Sequence, residues 1–217
     1  MPLHAALSPK QQEKAAHLYR SGLSAQQIAN HFDISLDATY YALRRLKVQR
    51  RTAQEANRVR FEAKPLSYHL KTKLTQTEEH LKFAAVILYW AEGYKAGRNT
   101  IDFANSDPQM ALIFKRFLSE ICRVDEKRIR GHLYCYEGQD VKALTCYWSR
   151  LLSIPKRQFI KPYIKKKASP GPRGPRMLHG LVHVVYCDTK LLRQILKWIE
   201  GYCRECVGTQ VVYEGRL

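Results

Sequence analysis

The chain has 217 residues, of which 45% are hydrophobic and 11% aromatic, enough to build a core and too much for a disordered polymer. Lys and Arg number 37 against 19 Asp and Glu, a formal charge of +18, so the expected partners are polyanions: nucleic acid or an anionic membrane surface. The longest apolar run, Phe83 to Ala91, falls far short of the ~20 residues of a membrane span, and no phosphate loop, G-x-S-x-G elbow or H-E-x-x-H zinc motif occurs.

Ser8-Pro9-Lys10-Gln11 has the form of a helix start, with Ser8 as N-cap, Pro9 at the first helical position and Gln11 closing a capping box. That helix is expected to reach about Tyr19 and stop at Gly22. Ser24 caps a second helix, Ala25 to Phe32. Asp33-Ile34-Ser35 then turns into a third, Leu36 to about Leu46. Ala29 is the small residue that lets the third helix cross the second closely, with Ile28, Phe32, Ile34 and Leu43 facing it.

The segment LSAQQIANHFDISLDATYYALRRL resembles the helix-turn-helix of resolvases and of sigma-factor-like activators. It departs from the commonest pattern at Asp33, where Gly is usual, although Asp tolerates left-handed backbone better than most residues. The resemblance implies a third helix lying in the major groove of double-stranded DNA. Ser35, Asp37, Ala38, Tyr40 and Tyr41 would then lie near base edges, and Arg44, Arg45, Arg50 and Arg51 near phosphates.

Residues 47–80 are polar and basic, with Pro65 as a breaker. They suggest a helix-turn-helix domain at 1–52, a linker at 53–74 and a second domain at 75–217. Leu81 to Ala91 reads as a buried helix. Ile101 to Ala104 is a short strand. Asp107-Pro108 starts a helix with Met110, Ile113, Phe114, Phe117, Leu118 and Ile121 on one face. Arg128 to Tyr136 alternates, with Ile129, Leu133 and Cys135 on one side and Arg128, Arg130, His132, Tyr134 and Tyr136 on the other. Val141 to Leu152 is an amphipathic helix, Phe159 to Lys167 a basic strand, Ala168 to Arg176 a Pro/Gly loop and Leu181 to Cys187 an apolar strand. Asp188 caps a last helix.

Glu92 ends the long apolar helix ahead of Gly93, a C′ glycine by position. A carboxylate there meets the negative end of the helix dipole, so a cation should compensate it: a nearby Lys or Arg, or a divalent metal such as Mg²⁺. Val86-Ile87-Leu88-Tyr89-Trp90-Ala91-Glu92-Gly93 resembles the core motif of the LAGLIDADG homing endonucleases, and IDFANSDPQMALIFKRFL resembles the strand and helix that follow it. The resemblance covers about residues 75–203. It implies an α+β protein: a three-helix helix-turn-helix followed by one αββαββα unit with an extra helix near 140–152. Trp90 stands where the family has its other acid, and Ile87 where a small residue is usual.

What the family adds is Mg²⁺-dependent DNA cleavage. Glu92, with a backbone carbonyl near Gly93, would hold the metal, and two copies in a homodimer would cut both strands. Lys161 and Lys165 are candidates for the assisting base. Arg128, Arg130, His132, Tyr134, Lys161 and Lys165 form the expected DNA-facing side of the sheet. No small-molecule substrate and no membrane partner are expected. Cys203-x-x-Cys206 lacks a second half, so structural zinc is not expected either. With neither signal peptide nor span, a cytoplasmic, nucleoid-associated place follows, or a nuclear one in a eukaryote. The rival reading is a non-catalytic DNA-binding regulator with the same two modules, an arrangement related to one found in a bacterial sporulation-regulator family. Trp90, Trp148 and Trp198 read as core residues.

Overall fold

Local capping chemistry starts nearly every helix. In a computed structural model describing residues 7–97, 99–166 and 177–208, the chain divides into two units, Met1–Pro65 and Leu66–Leu217. In the first, Ser8 and Gln11 form a reciprocal capping box ahead of α1 (Pro9–Arg20), and Ser24 and Gln27 repeat it ahead of α2 (Ala25–Phe32). Asp33 then takes the left-handed conformation at φ 51°, and Ser35 caps α3 (Leu36–Arg45). Ala15, Ala16, Ile28, Ala42 and Leu43 fill the small core, where alanines allow close helix crossings.

The expected linker carries a helix of its own. Thr52 and Glu55 form a capping box, and α4 (Ala53–Glu62) follows, burying no residue. A local cap, not a hydrophobic stripe, starts it. From Leu66 onward that stretch belongs to the second unit. His69 N–H donates to the Cys122 carbonyl at 3.0 Å, Lys71 N–H to the Ile121 carbonyl at 2.9 Å, and Tyr186 Oη–H to the Ser67 carbonyl at 2.7 Å.

The second unit runs α5 (Gln76–Glu92), β1 (Thr100–Asn105), α6 (Pro108–Arg116), β2 (Arg130–Tyr136), α7 (Val141–Leu152), β3 (Phe159–Lys165), β4 (Leu181–Cys187) and α8 (Thr189–Val207). The four strands form one sheet in the order β1-β4-β2-β3. β4 is antiparallel to both neighbours, and β2 and β3 are parallel. Alternation turns Ile101, Phe103, Leu133, Cys135, Val182, Val184 and Tyr186 toward one face. The buried apolar side chains of α5 to α8 join that face in one core.

This is a mixed α+β fold in the order αβαβαββα, the order in which the helices and strands read along the sequence, and it differs from the αββαββα unit with an extra helix that the resemblance implies. Where the resemblance implies two strands between α5 and α6, the chain has β1 and one antiparallel bridge, Gly93 to Phe103, backed by Tyr94 N–H donating to the Asp102 carbonyl at 2.9 Å. Tyr94-Lys95-Ala96-Gly97 supplies no β-branched residue to extend it. The supernumerary helix has a topological reason: β2 and β3 are parallel, and α7 is the crossover that parallel neighbours require.

Two helices differ from expectation. α5 starts earlier, at the Thr75–Glu78 capping box, and is buried on one side only: Phe83 is 47% and Trp90 37% exposed. Trp90 is therefore not a core residue, whereas Trp148 is fully buried. The helix begun at Pro108 widens into a π-turn over Phe117–Ile121, where the Cys122 N–H reaches back to the Phe117 carbonyl. Among the described residues no helix is long and apolar enough to cross a membrane.

Candidate nucleic-acid interface

In the first unit the 3.6-residue period decides which side chains of α3 point outward. Asp37, Tyr41, Arg44 and Arg45 are exposed, with Tyr41 at 59%, and their spacing puts them along one side of the helix. Ser35 is occupied as the cap, its Oγ accepting from Ala38 N–H at 3.1 Å. Tyr40 is half-buried beneath the guanidinium of Arg50, which lies 4.6 Å from its ring centroid. Arg51 differs from expectation. Its guanidinium donates to the carbonyls of Tyr19, Gly22 and Leu23 and stacks on the Tyr19 ring at 4.0 Å. It closes the C-terminal end of α1, where carbonyls lack helical partners, and is spent on the fold.

The second unit treats two more arginines the same way. Arg128 sits in a 3₁₀ turn before β2, donates to the Cys187 carbonyl at 2.6 Å and lies over the Tyr186 ring. Arg130 folds back on the carbonyls of Lys127 and Ile129, at 2.7 and 3.0 Å. Neither guanidinium extends from the sheet as the alternation of 128–136 suggested.

The face of the sheet opposite the core instead carries a joined cluster of rings. His183 Nδ1 lies 2.8 Å from Asp102 Oδ1 across β4 and β1. Tyr134 lies 4.3 Å from the His183 ring, 4.7 Å from His132 and 5.0 Å from Tyr163, measured between centroids. Burial, and after it the neighbouring His183, holds the His132 pKa below the ordinary histidine value, against a hydrogen bond to the Lys161 backbone that favours its charged form. Lys161 and Lys165 are exposed on β3, Lys165 in register with Tyr136. The Pro/Gly stretch 168–176 lies outside the described residues.

Asp102 and His183 do not stand out in the sequence. Each is a lone polar residue inside an apolar strand, Ile101-Asp102-Phe103 and Val182-His183-Val184. Alternation alone puts both off the core face. Their pairing across 81 positions depends on strand order, which the sequence does not display.

Glu92 is exposed, and no hydrogen bond or ion pair reaches it among the described residues. The cation expected at this helix end is Lys95, but it serves the backbone: its Nζ donates to the carbonyls of Trp90 at 2.7 Å and Gly93 at 3.1 Å. The Gly93 carbonyl, expected to help hold a metal, is thus engaged by an ammonium. Glu92 is also not near Lys161 and Lys165. Gly93 bridges β1 outside the sheet and β3 is the opposite edge, so four strand spacings, roughly 19 Å, intervene within one chain. Among the described residues no group of three or more His, Cys, Asp or Glu could hold a metal ion. Cys203 and Cys206 lie one turn apart on α8.

Gly93 is not a left-handed cap; its φ is −75° and its ψ 145°. Space requires it, since a Cβ there would fall 2.4 Å from the Tyr89 carbonyl oxygen and 2.5 Å from Tyr89 Cδ2. Tyr89 cannot yield easily: it is fully buried, its hydroxyl donates to the Tyr94 carbonyl at 3.0 Å, and burial pushes its pKa up to about 12. Gly93→Ala is therefore expected to destabilise the fold by ~1–3 kcal/mol in urea unfolding. Gly201→Ala in α8, where a Cβ meets nothing within 4 Å, should stabilise it by ~0.5–1 kcal/mol.

No family model matches the chain, and neither a curated protein nor a solved structure matches it.

Proposed function

We propose that the chain is a sequence-specific binder of double-stranded DNA whose first unit reads the major groove with α3. One observation carries the reading: after a left-handed Asp33 turn, α3 exposes Asp37, Tyr41, Arg44 and Arg45 along one side. A basic side with one aromatic suits phosphate contacts flanking a few base edges. The test is selection of bound duplexes from a random pool with the full chain. Enrichment of a short motif supports the reading, and a pool that stays random overturns it.

A second reading adds chemistry: a LAGLIDADG-like module acting as a Mg²⁺-dependent, homodimeric DNA endonuclease. Glu92 favours it, as an exposed carboxylate free of ion pairs among the described residues at the end of α5. The one-bridge remnant of a strand after α5 is in keeping with it. Phe83 and Trp90 are exposed on the same helix, with Ile87 half-buried between them, and would give a second copy an apolar surface to pack against. Within one chain Glu92 offers a single carboxylate and the Gly93 carbonyl belongs to Lys95, so the residues fit a metal only when a second copy brings its own Glu92. Mg²⁺ bound there would polarise a phosphate and acidify a water. Without cleavage, the non-catalytic regulator is what remains.

A further inference from the structure

We propose that the ring-bearing face of the second unit binds single-stranded DNA, stacking an unpaired base on Tyr163. The proposal rests on the DNA-binding reading and extends it to a different surface and a different form of the polymer.

Tyr163 is 54% exposed on the edge strand β3, where its register with Tyr134 puts both on the face away from the core. Tyr134 is held between rings: Tyr163 at 5.0 Å, His132 at 4.7 Å and His183 at 4.3 Å, with His183 tied to Asp102 at 2.8 Å. The exposed ring therefore stands on a floor that its neighbours fix, rather than on a loose surface. His183 Nε2 is buried and has no hydrogen-bond partner among the described residues, a polar atom left unmatched beside the platform.

What this face lacks distinguishes single strands from duplex. Duplex bases are read at their edges, most often by extended guanidiniums, and Arg128 and Arg130 are both folded onto backbone carbonyls. Stacking needs an exposed base face, which a duplex hides and a single strand offers. Sheet faces with aromatics on neighbouring strands accept unstacked bases in this way. The exposed Lys161, Lys165 and Lys166 on and just after β3 can follow the phosphates. Pro162 lies where the register between β2 and β3 shifts and has no N–H to give to a ladder.

The experiment measures fluorescence anisotropy of the full chain at fixed salt with a labelled oligo(dT) of about 12 nucleotides and, separately, with a duplex. Tyr163→Ala is expected to weaken oligo(dT) binding roughly 5- to 150-fold, the range for losing one stacked base. Tyr163→Phe, which keeps the ring, should retain the affinity, and neither change should affect the duplex. Equal oligo(dT) affinity for wild type and Tyr163→Ala overturns the proposal, as does parallel loss for single strand and duplex. If wild type binds neither DNA, the DNA-binding reading itself fails. Duplex binding with an oligo(dT) affinity indifferent to Tyr163 leaves that reading standing and removes only this one.

Discussion

Raising monovalent salt from about 50 to about 200 mM is expected to weaken duplex binding roughly 10³-fold, a slope of log K against log salt near −5 for ~6 neutralised phosphates. A charge of +18 would by itself favour diffuse attraction to DNA at low salt, so the slope's response to single substitutions is the informative part. Arg44 and Arg45 are exposed on α3. If each meets a phosphate, Arg44→Ala and Arg45→Ala should each reduce the slope by about 1. Arg51→Ala should behave differently. Its guanidinium is spent on three carbonyls at the end of α1, so the loss should appear in the melting of the first unit. A slope near zero in the wild type would remove the DNA reading. A slope that drops equally for Arg44→Ala and for any surface lysine would reduce it to diffuse attraction, with α3 no longer the reader.

That contrast separates what the sequence makes legible from what it does not. Helix starts are local, three residues from cap to N3, and Ser8, Ser24, Asp107 and Asp188 all cap as their spacing suggests, while Ser35, expected near base edges, caps as well. The Asp33 turn is local too. Thr52-x-x-Glu55 carries the same signal, but α4 has no apolar stripe, and a reading based on periodicity passes over it. The destinations of long charged side chains are another matter. Arg51 closes a helix ending about thirty residues earlier, and Arg128 meets a carbonyl 59 residues later. Strand alternation can say that Arg130 leaves the core face. It cannot say that the guanidinium then bends back to Lys127 and Ile129. Basic residues in a strand therefore overstate the charge available to a ligand, whereas rings in a strand, too stiff to fold back, are better reported by the pattern.

Glu92→Gln should abolish Mg²⁺-dependent nicking of the selected duplex while leaving its binding unchanged, as a gel of supercoiled plasmid and an anisotropy titration would record. The substitution keeps the size of the side chain and removes its charge. The site is exposed, so folding should not suffer. The glycine after it gives no independent support for catalysis, because Gly93 is explained by its closeness to Tyr89. Nor does the helix end need a metal for balance, because Lys95 already meets the carbonyls of Trp90 and Gly93. The remaining argument for chemistry is the carboxylate itself: an acid kept at the unfavourable end of a helix dipole, a placement worth ~0.3–1 kcal/mol against the fold, with no partner among the described residues. If that cost is borne for metal binding, the glutamine variant should be slightly more stable and inactive. If the wild type nicks nothing with Mg²⁺, or Glu92→Gln nicks equally well, the endonuclease reading is lost. The two units would then have to be understood as DNA-binding surfaces alone.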